Sequence, residues 1–423
     1  MRPRRTFPLV AAALVLVLVV ALFLSRSGGA DPAAASTPTP IRANPAVGPF
    51  QGLGVWVDLY DDAAWADPAA AVADMAAHGV RTLYLETSNF NRDSAFVDET
   101  AVAAFVDAGA AADVQVVAWY LPGFVDVGMD ASRAEEAIAF TTAAGNRFAG
   151  FALDIESLDV KDVAVRTQRL RQLSGDLRSA AGPGFPLGAI VPSPKAMKTN
   201  AYWPGFPWAD VAQTFDAILP MTYFTFRVHG LDDARAYAAT CIGLLRAWVG
   251  NDLVPIHMIG GIAQDATAEE TSGFVQAVRG YGLLGGSYYT WPGITDQQWS
   301  ALAPIAANPV GDPALPVRPG PRELGNVPGS DTTHPWGVVY RTGGHNGDGR
   351  LGFDLYGPTA GEVSVVVNGR LVATVPVGTG AWSARSVLVP DDALNDDLHN
   401  EVAFFASGDD PRWGVRNLSI LGA

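Results

Sequence analysis

The octapeptide GFALDIES, Gly150 to Ser157, sets two carboxylates one residue apart at the end of an apolar stretch. Side chains alternate across a strand, so Asp154 and Glu156 face the same way, with Cα atoms about 6.5 to 7 Å apart. An unpaired charge on an apolar strand is costly. Two neighbouring carboxyl groups that share a proton escape part of that cost and titrate together at a raised pKa. Such a pair keeps Glu156 protonated as a general acid, with Asp154 one layer deeper as its partner. That suits the cleavage of an acetal, whose departing sugar oxygen leaves poorly until an acid delivers a proton to it. The plainer reading is that the two residues cap the following helix or pair with Lys161.

Further candidates stand at equivalent places. Glu86, closing YLETS, is either a second catalytic carboxylate or a loop ion-pair partner, and Asp58 in VWVDLY is similar. Tyr223 in LPMTYF presents a hydroxyl to a substrate or fills the core, and Lys195 follows PLGAIVPSP as a further substrate contact. Trp119, Trp203, Trp208 and Trp291 offer aromatic faces for the C–H side of a sugar ring, although each alone is better explained by packing and only the cluster counts. His257 reads as a packed strand residue. No spacing of His, Asp and Glu reads as a metal site and no cofactor is implied, apart from a structural calcium that Asn400, Asp409 and Asp410 could hold with oxygen ligands. Cys241 is the only cysteine, which excludes an intramolecular disulfide, and no Gly-x-Ser-x-Gly elbow supports serine-hydrolase chemistry.

The elements that must position these groups repeat from Gln51 onward. Eight short apolar strands (LGVWVDLY, RTLYLETS, VQVVAWYLPG, GFALDIES, PLGAIVPSP, FDAILPMTYF, VPIHMIGGI and GGSYYTW) alternate with helical stretches. In DPAAAVADMAAHGV, Asp67 is an N-cap, Pro68 fits the first helical position and Gly79 supplies the left-handed residue after the end. Further helices are expected over Glu99 to Ala112, Arg133 to Ala144, Val163 to Ala180, Asp233 to Val249, Ala268 to Arg279 and Asp296 to Ala306, with a shorter one around Trp208 to Gln213. Eight such units over 50–307 predict an α/β fold, a (β/α)8 TIM barrel, in which the polar strand ends gather at one mouth. A doubly wound open sheet is the rival, but no strand leads into a Gly-x-Gly-x-x-Gly turn.

Residues 308–335 read as a proline-rich linker without periodicity, and 336–423 as seven short alternating strands of a small all-β sandwich or jelly roll. Asn368-Gly369 marks a two-residue hairpin. At the other end, Arg2, Arg4 and Arg5 precede an apolar run from Phe7 to Leu24. Its length predicts an N-terminal transmembrane helix within 1–26, followed by a flexible linker over 27–49, so that the membrane is a partner and the bulk of the chain is extracytoplasmic on a single-pass anchor. Cleavage near Gly28 to Ala30 would instead give a secreted protein. A net charge of −15 argues against nucleic acid, whose phosphates an acidic surface repels.

The fourth strand, ending Asp154-Ile155-Glu156, resembles that of family 18 glycoside hydrolases, the chitinase-like group, with family 25 muramidases a second likeness. The chitinase-like signature D-G-x-D-x-D-x-E is half matched by Ala149 to Glu156. The resemblance implies Glu156 as proton donor, Asp154 as its partner, Tyr223 of Met221-Thr222-Tyr223-Phe224 as a substrate contact, and Trp291 as the tryptophan ending the eighth strand. Where the family carries Tyr-Asp, this chain has Phe224, so Glu86 or Asp58 is left as an alternative source of a nucleophile or base. The terminal sandwich resembles carbohydrate-binding jelly rolls, with Trp382 and Trp413 as aromatic candidates. The expectation is a membrane-anchored glycoside hydrolase acting on a polysaccharide or oligosaccharide. The alternatives are a glycan-binding barrel without turnover and a cell-envelope scaffold.

Overall fold

The computed structural model describes residues 45–199, 202–251, 254–281, 283–307, 324–325, 337–342, 345, 347–357, 360–378, 380–394, 400–407 and 413–422. Strands β1 (Gly52–Val57), β2 (Thr82–Asn89), β3 (Gln115–Leu121), β4 (Gly150–Asp154), β5 (Leu187–Pro192), β6 (Ala217–Met221), β7 (His257–Ile262) and β8 (Gly285–Tyr289) pair in sequence order, all parallel. The sheet closes where β1 pairs with β8, Gly52 opposite Gly285. Ten helices lie among the described residues: α1 (Asp62–Ala66), α2 (Pro68–Ala77), α3 (Glu99–Ala112), α4 (Val127–Ala139), α5 (Val163–Ala181), α6 (Pro194–Thr199), α7 (Trp208–Thr214), α8 (Leu231–Val249), α9 (Ala268–Gly280) and α10 (Asp296–Ala307).

The alternation of side chains divides the apolar residues of each strand between two cores. Leu53, Val55 and Val57 of β1, and Phe151 and Leu153 of β4, pack outward against the helices. Trp56, Tyr84, Val117, Trp119, Ala152, Ile190, Leu219 and Ile259 fill the inside of the ring. By the same period, Asp154 shares the inner face with Ala152. Ile155 still donates its N–H to the Ile190 carbonyl at 2.9 Å and packs in the outer core, so the next residue, Glu156, returns to the inner side.

Helix ends follow local chemistry. Asp67 accepts from the Ala70 N–H, with Pro68 beginning α2, and Gly79 beyond its end has φ +77°; a cap of this kind contributes about 1 kcal/mol. One helix is displaced from the expectation at both ends. Helix α4 begins at Val127 because the Asp126 carboxylate accepts from the Met129 N–H. It stops before Phe140, after which the Thr142 hydroxyl is drawn onto Asp107 at 2.6 Å.

The C-terminal residues form two four-stranded sheets. One has the order β10 (Gly337–Thr342), β15 (Asn400–Ser407), β12 (Gly361–Val367), β13 (Arg370–Val377); the other has β14 (Ser383–Val389), β11 (Gly349–Tyr356), β16 (Gly414–Gly422), β9 (Leu324–Gly325). Leu351, Phe353, Val363, Val365, Phe404 and Trp413 are buried between them. Strand β9 comes from the stretch read as an unpatterned linker: Leu324 pairs with Val415. Trp413 is core, not a surface platform. The Asn368-Gly369 turn has φ +48° and +81°, both left-handed, which is why this dipeptide occupies it. That turn lies on α8, where the Thr240 hydroxyl donates to the Asn368 carbonyl at 3.0 Å.

The expectation of a membrane-spanning helix is corrected. Among the described residues no helix is long and apolar enough to cross a membrane. The run from Phe7 to Leu24, on which that expectation rests, lies outside the described residues. The single-pass anchor, the membrane as a partner and a cell-membrane location are therefore not carried further.

Candidate active site

Four carboxylates reach the inner rim of the barrel at the C-terminal ends of β1, β2 and β4: Asp58 just after β1, Glu86 in β2, Asp154 closing β4 and Glu156 two residues beyond it. Asp154 is 6% exposed, whereas Glu156 keeps part of its surface open, so the pair is layered with Glu156 outermost. Burial is the main reason that Asp154 holds its proton far above the ordinary range, reinforced by the charges of Glu156 and then Glu86. Burial also raises Glu156. Both therefore hold their protons to higher pH than an ordinary carboxyl, and neighbouring carboxyls of this kind titrate together. One oxygen of Asp154, Oδ1, has no hydrogen-bond partner among the described residues.

Glu86 is held in a different way. Its Oε2 accepts from the Leu59 N–H at 3.1 Å, tying β2 to the loop after β1, and its Oε1 accepts from the Asn89 amide at 3.1 Å. Asn89 cannot turn its amide over without loss, because its own Oδ1 accepts from the Asn91 N–H at 3.0 Å. Burial lifts the Glu86 pKa to about 7 against the lowering effect of these two donors. Asp61, in the loop after β1, is also raised to about 7, by burial first and then by the charge of Asp58.

Three tyrosines surround the carboxylates. Tyr289, the last residue of β8, donates its phenol to Asp58 Oδ2 at 2.5 Å, while Asp58 Oδ1 accepts from the Tyr60 N–H at 2.7 Å. Tyr223 has φ +33° two residues beyond β6, and its ring lies 6.3 Å from that of Tyr289. Burial is the main cause that raises the Tyr223 phenol, followed by the charges of Glu156, Asp154 and Asp58. Tyr202, from the segment between α6 and α7, donates to the backbone carbonyl of Glu156. That contact fixes the turn carrying the outer acid.

Two expected contacts lie elsewhere. Lys195 stands on α6 with its ammonium 4.8 Å from the Tyr237 ring centroid, in the helical layer. Trp291 turns its indole N–H away to Asp74 of α2 at 2.9 Å. Trp119 is inside the barrel, but its ring packs edge-on against Trp56 with centroids 5.8 Å apart, so it does not present an open face. Its indole nitrogen has no hydrogen-bond partner among the described residues. Trp203 and Trp208 are core residues, packed against Phe206. His257 is fully buried with Nδ1 at 2.9 Å from the Phe50 carbonyl, and burial lowers its pKa to about 4.

Tyr289, Asp61, Asn89 and Tyr202 were not singled out by sequence. For Tyr289 a signal existed: in GGSYYTW one of two consecutive tyrosines must face inward, and Ser287, which accepts from Trp56 Nε1 at 2.8 Å, fixes which. Among the described residues no group of three or more His, Cys, Asp or Glu side chains could hold a metal ion. Of the residues considered for calcium, Asn400 accepts from the Asn368 amide at 2.7 Å, and Asp409 and Asp410 lie outside the described residues.

No protein-family model and no curated protein matches the chain. Among solved structures, the chain is similar to the endo-beta-1,4-mannanase from Thermotoga petrophila at 10% identity and a TM-score of 0.49, over 88% of this chain and 97% of that one. It is also similar to the endo-1,4-beta-mannanase from Rhizomucor miehei (10% identity, TM-score 0.48, 63% and 98% covered) and to the chitinase from Chromobacterium violaceum (15% identity, TM-score 0.45, 61% and 99% covered). These similarities assign the chain to neither family 18 nor family 25 and define no catalytic glutamate; the fold they accompany is the closed parallel barrel with its surrounding helices.

Proposed function

We propose that the protein hydrolyses glycosidic bonds in a polysaccharide or oligosaccharide, with the Asp154–Glu156 pair as proton source and Glu86 as the second carboxylate. The observation that carries this reading is the layered acid pair at the rim of the barrel, with charges on Glu156 and Glu86 both felt at Asp154. Glu156, the more open of the two, gives its proton to the leaving oxygen, while Asp154 beneath it accepts or returns the shared proton. Glu86, held by two donors, acts from the neighbouring side as base or nucleophile, and Asp58, fixed by Tyr289, orients the sugar together with Tyr223. The half-matched family 18 signature is consistent with Glu156 as the donor. Phe224 stands where that family has an acid, so Glu86 takes the role that an acid there would fill.

The test is a screen of purified protein on a panel of polysaccharides and of aryl glycosides with good and poor leaving groups. Glu156→Gln should lower turnover by about 10² to 10⁴ on substrates with poor leaving groups and by much less on those that need no protonation. Equal loss on both, or release of sugar from no substrate in the panel, would overturn the reading.

A further inference from the structure

The loop after β2 carries residues that bear on Glu86, and a buried arginine from α4 holds that loop. Residues 89–92 close on themselves: the Arg92 N–H donates to the Asn89 carbonyl at 3.0 Å, and the Asn91 N–H donates to the Asn89 side-chain oxygen at 3.0 Å. Arg133 Nη1 donates to the same Asn89 carbonyl at 3.0 Å, and its Nη2 donates to the Arg92 carbonyl. One guanidinium thus grips both ends of the turn. A planar fork with N–H groups at fixed spacing suits two carbonyls of one turn, whereas an ammonium is a single point.

Arg133 is only 8% exposed, and a charge so buried is costly unless it is opposed and hydrogen-bonded. Its Nη1 also lies 3.4 Å from the Tyr120 hydroxyl, which donates to Asp130 Oδ1 at 2.7 Å. Asp130, on the same helix, accepts from the Phe124 N–H at 2.9 Å and the Gly123 N–H at 3.3 Å. Helix α4 therefore fastens two loops of the barrel mouth, the one after β2 through Arg133 and the one after β3 through Asp130.

The two residues whose carbonyls Arg133 holds are also two whose side chains favour an ionised Glu86. The Asn89 amide donates to Glu86 Oε1 at 3.1 Å, and the charge of Arg92 acts on the same carboxyl. The Leu59 N–H supports it from the loop after β1, while Asp58, Asp154 and Tyr289 face it from the ends of β1, β4 and β8. We propose that Arg133 is the positioning residue for Glu86: by fixing both ends of the 89–92 turn, it keeps the Asn89 amide and the Arg92 charge beside that carboxylate. The proposal rests on the reading of Glu86 as the second carboxylate and names what prepares it. Without the fork the turn loses its anchor, the amide exchanges Glu86 for water, and the charged form loses support.

The experiment is a 13C NMR titration of the full chain labelled at the glutamate side-chain carboxyls, with the Glu86 signal assigned by its loss in Glu86→Gln. It needs no substrate. Arg133→Gln should move the Glu86 midpoint upward from about 7 by about half a pH unit or more. Arg133→Lys, which can reach one carbonyl, should move it less, and stays readable should Arg133→Gln fail to fold. Combined with Asn89→Ala, Arg133→Gln should add less than its own shift, because both changes act through one amide. Gly369→Ala, which disturbs the sandwich turn on α8, controls for lowered stability and should leave the midpoint in place. On a cleaved substrate, Arg133→Gln should lower kcat about tenfold or more with KM changed less than about threefold. A midpoint that stays or falls in both Arg133 variants, or shifts that simply add, would overturn the proposal and leave Arg133 a residue of stability alone. A midpoint that moves as stated in a protein that cleaves no glycan would support the positioning role while overturning the hydrolase reading.

Discussion

The phenol of Tyr289 donates to Asp58 at 2.5 Å across the seam where β8 meets β1. This is a charge-assisted contact made where the barrel closes, and it joins the last strand to the first at the level of the candidate site. A hydrogen bond to a charged group is worth about 1.5–3 kcal/mol when its loss leaves a buried partner unsatisfied. Tyr289→Phe should therefore lower kcat/KM about 10- to 100-fold on any substrate found, with the fold retained by circular dichroism. A change of less than twofold would remove Asp58 and Tyr289 from the site.

The pH profile should report Glu86. If it acts ionised, activity should rise on the acid side with an inflection near its raised pKa of about 7. The Asn89 amide stabilises the charged form, so Asn89→Ala should move that inflection upward. A profile of kcat/KM against pH for both proteins checks this; an inflection that stays in place or moves down would assign the limb to another group.

The same group links pH to stability. A carboxyl with pKa 4.5 when unfolded and about 7 when folded binds more protons in the native state. Stability is then fullest below pH 4.5, falls as pH rises through that window, and has lost its whole increment above pH 7. Asp154, Glu156 and Asp61 are raised as well, so all four act in the same direction. Urea unfolding should show a more stable protein at pH 5 than at pH 8. Glu86→Gln should reduce that difference by roughly 2–3 kcal/mol. A difference left unchanged by the substitution would mean that Glu86 is already ionised in the folded protein at pH 5.

Gly369 sits in the turn that meets α8. A Cβ there would lie 1.8 Å from the Thr240 hydroxyl and 2.4 Å from the Ala236 carbonyl, and the residue has φ +81°. The carbonyl belongs to a helix and cannot retreat. Gly369→Ala should destabilise the protein by roughly 1–3 kcal/mol, seen in calorimetry as a lowered transition. An unchanged transition would show that the turn does not bear on the helix.

The sequence was informative where one local rule dominated. Eight apolar strands alternating with capped helices made the closed barrel readable, as Asp67, Pro68 and Gly79 show for α2. The inward direction of Asp154 followed from period-2 alternation alone. Alternation failed beyond strand ends: Trp291 and Lys195 lie in short helices whose direction is set by contacts with α2 and α8. Tyr202 matters through a partner far along the chain, and Asn89 and Asp61 through burial beside near neighbours; neither the distant contact nor the burial is written in local spacing. The same holds for β9, two residues given an edge position only because β16 offers one.

Helix α8 serves two purposes. Its start follows directly from the loop that carries Tyr223, and its middle seats the Asn368-Gly369 turn. The sandwich and the segment that carries Tyr223 are thus joined to one helix, so a displacement of α8 would reach both.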